Sequence, residues 1–192
     1  MEWLTGPLFW LSSGLLAPVI AALLLGAIYA LLQIGAFLRA ALQRRQLHAP
    51  DLMALRTEPA TEVLAAWAAS RADALGRASQ GLLEAPEAHR DFLIAAFEAE
   101  MAARLAGPRL LTRLGPMLGL MGTLIPLGPA LTGLAAGDLG SLAGQMHVAF
   151  ATTVIGLVCG GLGYLIAQAG LRWAQEDLNT LEFVRDCLRE QP

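Results

Sequence analysis

Three runs of this chain contain no Asp, Glu, Lys or Arg: Trp3–Leu38, Leu114–Gly137 and Leu139–Leu171. Each is longer than the ~20 residues that cross roughly 30 Å of hydrocarbon. Lipid offers no partner for a backbone N–H or C=O, so a spanning segment must be a helix or part of a closed barrel. No run shows the two-residue alternation of a strand, and the expectation is three transmembrane helices. The whole chain agrees: 56% of its 192 residues are hydrophobic and 15% are charged, against about 25% charged in soluble domains. The fold class read from the sequence is all-α, a polytopic membrane protein.

Glu2 precedes the first run and no basic residue does, so that run reads as a span rather than a secretory leader. Cys159 and Cys187 form neither a metal nor a disulfide pattern. A net charge of −3 with no basic cluster gives nucleic acid no footprint. The three His are scattered, no two acidic residues meet in a span, and neither an HExxH run nor a Ser/His arrangement occurs. An enzyme is not expected, nor a cofactor or a metal.

Orientation rests on arginine alone, because the chain has no lysine. Arg39, Arg44 and Arg45 follow the first run, Arg104, Arg109 and Arg113 precede the second, and Arg172 follows the third. The positive-inside rule then places residues 39–113 and the C-terminal tail in the cytoplasm, with the N-terminus and the turn at Asp138 outside. Trp3 and Trp10 suit the outer interface and Trp173 the inner one, while Arg109 and Arg113 reach the headgroups. Four segments follow: residues 1–38 with the first span, 39–107 cytoplasmic, 108–170 a transmembrane hairpin, and 171–192 a cytoplasmic tail helix.

The first span is expected over Leu8–Phe37, continuing as a helix to Gln46. A turn-rich connection ends at Thr57 or Thr61, either able to cap the next helix. That helix, Thr61–Leu83, carries Val63, Leu64, Trp67 and Leu75 on one face at helical spacing. A break at "EAPEAHR" precedes a second helix, 86–105, with Pro86 in its first turn and an apolar face of Phe92, Leu93, Ala96, Phe97 and Leu105. The two make a helical hairpin extension. Glu98, Glu100 and Arg104 read as a solvated, paired face worth tenths of a kcal/mol. Trp173, Leu178, Leu181 and Val184 give the tail its apolar stripe.

The stretch "GLMGTLIPLG", Gly119–Gly128, spends glycines, a proline and a threonine where a lipid-facing helix would carry leucine. Thr123 lies about fifteen residues before Asp138 and Thr153 about fifteen after it. At 1.5 Å per residue the two must share a level. Steps of three and four connect Pro116, Gly119, Thr123, Pro126, Ala130 and Gly133 in one run, and Ala149, Thr153, Gly156, Gly160, Gly163 and Ala167 in the next. Small residues let helix backbones approach closely. Two readings stay open. The seams are packing faces and nothing more, or they line a space for a further helix, a water file or an ion. A threonine hydroxyl donates and accepts but does not titrate at physiological pH, so any ion path needs a charge from elsewhere.

"LGPMLGLMGTLIPLGPAL" followed by "DLGSLAGQMHVAFATTVIGLVCGGLGYLIA" resembles the MotA/TolQ/ExbB proton-channel family. The marks are the proline and GLxGT of the second span, the Asp and Leu-Ala of the turn, and the TTxIGL of the third. They cover roughly residues 108–170. The resemblance implies a homopentamer around two copies of a single-span partner of the ExbD/TolR/MotB type. That partner's membrane aspartate carries the proton, and ion flow drives mechanical work from the bacterial or archaeal inner membrane. It assigns Thr123 and Thr153 to the pore, with Thr152 beside them and Pro116, Gly119, Pro126, Ala149, Gly156 and Gly160 as the small residues lining it. Relatives often place a glutamate just over a turn before the third-span threonine. Here Val148 stands there, next to His147, so no acidic relay carries over. His147 either substitutes as a titrating neighbour, its pKa lying near physiological pH, or is an interfacial histidine at the outer mouth. The competing class is a non-conducting scaffold assembled through its small-residue seams.

Overall fold

The computed structural model describes residues 2–46 and 60–189, with side chains described over 14–44 and 61–189. Thr57 and the side chains of Trp3 and Trp10 lie outside the described residues. Among the described residues five helices follow one another: α1 (Glu2–Gln46), α2 (Ala60–Ala69), α3 (Ala74–Glu84), α4 (Glu87–Ala135) and α5 (Leu139–Arg189). Among the described residues there is no strand. Segments within α1, α4 and α5 are long and apolar enough to cross a membrane. The second and third charge-free runs do not stand alone. Each is one part of a helix of about fifty residues that continues into ordinary amphipathic sequence.

The chain divides into two compact units. One takes α1 as far as Phe37 together with Gly107–Ala167. The other takes the chain from Leu38 to Ala106 and from Gln168 onward.

In the first unit α1 packs through Ala27 and Ala30 against Leu111 of α4 and Ile155, Cys159 and Leu162 of α5. Much of what remains apolar faces outward, including Leu25 and Leu32 of α1, Leu120 and Leu124 of α4, and Phe150 and Leu165 of α5. Water would penalise that surface, whereas lipid does not. The α4–α5 connection is three residues long, 136–138. Gly137 adopts φ 78°, a left-handed conformation open to glycine without Cβ strain. The Asp138 N–H bonds the Gly133 carbonyl at 2.9 Å and the Gly137 N–H bonds that of Leu134 at 3.0 Å, closing a Schellman motif. Asp138 then caps α5, its carboxylate accepting from the Ser141 N–H at 3.0 Å.

The second unit has a core of Leu64, Leu75, Leu82, Ile94, Phe97, Leu181 and Val184, so the tail packs with α2, α3 and the start of α4 around one centre. Three local expectations change. The helix anticipated over Thr61–Leu83 is two helices, and Thr61 lies inside the first turn of α2 rather than capping it. The break arises because Ser70 turns its N–H and hydroxyl back onto the Trp67 and Ala66 carbonyls, while Asp73 caps a new helix by accepting from the Gly76 N–H at 2.9 Å. An Ala-rich pattern carries no signal of its own against such a cap. Second, Phe92 is 72% exposed and Ala96 is exposed too, while Ile94 takes a core place. Third, α4 starts at Glu87, one residue beyond Pro86, whose carbonyl accepts from the His89 N–H at 2.9 Å. Glu100 and Arg104 do pair, at 2.6 Å and half-exposed.

Asp73 gives this unit an acid-sensitive element. Partial burial pushes its carboxyl pKa up, but the Arg71 guanidinium at 2.6 Å and the Gly76 N–H outweigh that and hold it below the ordinary carboxylate value. A group whose folded pKa is depressed stabilises fully above its unfolded pKa and loses that contribution as pH falls through the folded one. Asp73→Ala is expected to cost about 1–2 kcal/mol at neutral pH, the range of a lost N-cap. The deficit against the unmodified protein should shrink below pH 4. Thermal melts at pH 7 and pH 3.5 check it, and an equal deficit at both would refute the assignment.

Candidate functional site: the α4–α5 hairpin

Glycines carry the contact between α4 and α5. A Cβ on Gly156 would lie 2.5 Å from the Gly115 carbonyl oxygen and 2.8 Å from the Gly119 Cα. Those are backbone atoms, so only glycine permits the approach. Gly160 seats the Pro116 ring, whose Cδ would be 2.7 Å from an added Cβ, and Gly163 faces Pro108 and Thr112. Gly122 faces the Thr152 side chain, with a Cβ position 2.5 Å from its hydroxyl oxygen. Gly133 meets Ser141 next to the turn. The register is therefore continuous from turn to base.

Of the small residues anticipated from the sequence, Gly119, Pro126, Ala149, Gly156 and Gly160 are buried in the unit, and Pro116 is half-buried. Gly115 and Gly122 belong to the same contact and were not in the anticipated series. They stand four before and three after Gly119, so the same stepping rule, started one residue earlier, finds them.

The three threonines have different surroundings. Thr152 is 6% exposed, wedged against Gly122, and its hydroxyl donates back to the Val148 and Ala149 carbonyls at 3.1 and 2.9 Å. Thr123 and Thr153 are half-buried, each donating to its own helix: Thr123 to Leu120 at 2.7 Å and Thr153 to Ala149 at 3.0 Å. They are level along the hairpin. The space at Gly119 meets the Thr153 Cα, and Gly122, beside Thr123, meets Thr152.

Helix geometry also settles which side they occupy. At about 100° per residue, Thr123 is about 120° around α4 from Leu111, and Thr153 about 160° around α5 from Ile155. Leu111 and Ile155 face α1. In antiparallel helices, equal rotational senses lead to the same side, so both threonines lie on the flank of the hairpin that α1 leaves open. Thr112 and Pro116 share it. His147 does not, being about 120° around α5 from Thr153, on the exposed face of Val154 and Val158.

The chemistry available is that of hydroxyls and carbonyls in an apolar surround. No Asp, Glu, Lys or Arg lies in 114–137 or 139–171. Among the described residues no group of three His, Cys, Asp or Glu side chains converges. Such a surface can orient water or hold a partner's carboxyl, but it has no carboxylate of its own.

A family model described as the MotA/TolQ/ExbB proton channel family matches residues 33–182, from within α1 almost to the end of α5. No curated protein and no solved structure matches the chain. The matched residues include the whole glycine contact, the three threonines and the turn. The family is one of channels rather than enzymes, and its members work in an oligomer with a single-span partner. Three membrane-length helices, a hairpin joined by glycine and a match over most of its length lead to one conclusion: this chain belongs to the MotA/TolQ/ExbB proton channel family.

Proposed function

We propose that the chain is the wall subunit of an ion-driven motor or energy-transducing complex in the bacterial or archaeal cytoplasmic membrane. Five copies surround two copies of a single-span partner of the ExbD/TolR/MotB type, and proton flow past the partner's membrane aspartate is converted into mechanical work. Residues 108–170 form the wall. Residues 39–113 and the C-terminal tail are cytoplasmic and the Asp138 turn is outside, as the arginine distribution favours. Thr123 and Thr153 face the path, with Thr152 bracing the wall behind them. Pro116, Gly119, Pro126, Ala149, Gly156 and Gly160 keep that wall thin.

One observation carries this reading: two hydroxyls, level with each other, on the single flank of the hairpin that α1 does not cover. Energetics explain the division of labour. A carboxylate at mid-bilayer costs at least about 2.5–3.5 kcal/mol on insertion scales, and this chain avoids it. The titrating group then comes from the partner, for which the hydroxyls supply hydrogen bonds. One charge moved through 100 mV releases about 2.3 kcal/mol, so a working stroke takes several protons.

The scaffold reading draws on a different observation, that both hydroxyls already bond carbonyls of their own helices. A single experiment separates the two. The protein is reconstituted in liposomes with the single-span product of the adjacent gene, and proton uptake is followed with a pH dye. Thr123→Val and Thr153→Val preserve shape and remove the hydroxyl. Each should cut uptake about tenfold, the kinetic equivalent of one lost hydrogen bond, with the complex still intact on sizing. Undiminished uptake in both would leave the scaffold.

A further inference from the structure

Helix α4 contains four prolines: Pro108, Pro116, Pro126 and Pro129. A proline has no N–H, so each leaves the carbonyl four residues before it without its helical partner. The carbonyls concerned are those of Arg104, Thr112, Gly122 and Ile125. Membrane helices accept such prolines when other donors serve the freed group. Their positions around the helix differ. Arg104 belongs to the other unit. Gly122 points about 100° from Thr123 toward the α1 side, buried against Thr152, and Ile125 lies about 160° away. Thr112 alone stands within about 20° of Thr123, on the open flank, roughly 16 Å along the helix.

Among the described residues no donor from outside α4 bonds the Thr112 carbonyl. The group across from it is Gly160, whose Cβ position would be 3.5 Å from the oxygen. Gly160 sits inside α5 with its N–H committed to the preceding turn. The Thr112 hydroxyl is spent on the Pro108 carbonyl at 3.0 Å. Thr112 and Pro116 are both half-buried, and both stand on the flank that carries Thr123. The arrangement is held by a specific pairing, the Pro116 ring against a residue that must be glycine.

We propose that the Thr112 carbonyl, opened by Pro116, is a water-binding acceptor on the Thr123–Thr153 flank, toward the arginine-bearing end of the span. It rests on the proton-path reading above and adds a member that no side chain announces. A carbonyl carries no proton itself. It fixes the orientation of a water or hydronium that does, extending the hydrated track from the threonine level toward Arg109 and Arg113.

The test uses the same liposomes with the full complex. Pro116→Ala returns an N–H to Thr112 and closes the carbonyl. Pro116→Gly also returns the N–H but keeps a bend inexpensive. Both should lower proton uptake about tenfold, the rate equivalent of one hydrogen bond, whereas Pro129→Ala, which closes the carbonyl of Ile125 off the flank, should leave it within twofold. Full uptake in Pro116→Gly beside a loss in Pro116→Ala would make the proline a hinge and overturn the proposal. Should the Pro116 variants fail to assemble, a water-resolving structure of the unmodified complex decides. Ordered density within hydrogen-bonding distance of the Thr112 oxygen is expected, and an acyl chain or side chain packed dry against it would refute the assignment. Failure here with intact threonine effects removes only the water site. Failure of the threonine variants removes the path itself.

Discussion

Gly156→Leu is expected to separate α4 from α5 and to abolish the folded hairpin in the membrane. The reason is what the new side chain meets. Its first carbon would fall 2.5 Å from the Gly115 carbonyl oxygen and 2.8 Å from the Gly119 Cα, and neither can rotate out of the way. Overpacking against side chains costs about 1–3 kcal/mol. Against backbone, the helices must move apart, and the contacts at Gly119, Gly122, Gly160 and Gly163 go with them, so about 3 kcal/mol or more is expected. Gly161→Ala is the control, since nothing lies within 4 Å of its Cβ position. It should gain about 0.5–1 kcal/mol from helix preference alone. Thermal unfolding in detergent, with recovery of the intact oligomer, measures both. A Gly156→Leu protein that melts like the parent would mean that the hairpin contact is not what the glycines serve.

Arg44→Ala is the second large effect. In the second unit the Arg44 guanidinium grips Asp177 with two nitrogens, at 2.7 and 3.0 Å, and bonds Glu176 at 2.9 Å. It also lies over the Trp173 ring, 5.6 Å from the centroid. Trp173 was read as an interfacial anchor, and here its ring serves as the platform for this arginine. A planar fork matched to a carboxylate is stronger than a single charged contact. The Asp177 side chain is only 13% exposed, so removing Arg44 leaves a poorly hydrated charge behind. Breaking a fully buried pair costs about 3–5 kcal/mol, and partial exposure brings the expectation here to about 2 kcal/mol. Arg44→Lys should recover less than half, lacking the fork and the stack. Arg44→Met combined with Asp177→Leu should cost far less than Arg44→Ala alone, since no charge is stranded. Hydrogen exchange at the end of α1 and around Asp177 reports the loosening. Equal exchange in parent and Arg44→Ala would show the clamp to be idle.

Much of the architecture was legible because lipid simplifies the problem. Long uncharged runs have one outcome in hydrocarbon, and Asp138 between two of them could only be a turn. The match in level between Thr123 and Thr153 followed from counting residues to that turn, and the approach of Gly122 to Thr152, the neighbours of these two threonines, agrees with it. The second unit was harder to read. Ala-rich sequence carries a weak period, so Phe92 was assigned inward where Ile94 belongs, and a cap at Asp73 divided one expected helix into two. That the tail joins the same core through Leu181 and Val184 could not be deduced from spacing, because the partners are about a hundred residues away in sequence.

What the sequence determined by itself, then, was the number of membrane-length helices, the hairpin and the level of its hydroxyls. All three depend on hydrophobic length and a fixed rise per residue, which are local quantities. Which threonine is wedged and which lie on an open flank was decided only by tertiary structure. Two residues adjacent in sequence, Thr152 and Thr153, differ by about 100° around the helix, and their surroundings depend on where α4 and α1 pack. That placement comes from non-local contacts, the glycine approach on one side and Ala27, Ala30, Leu111 and Cys159 on the other.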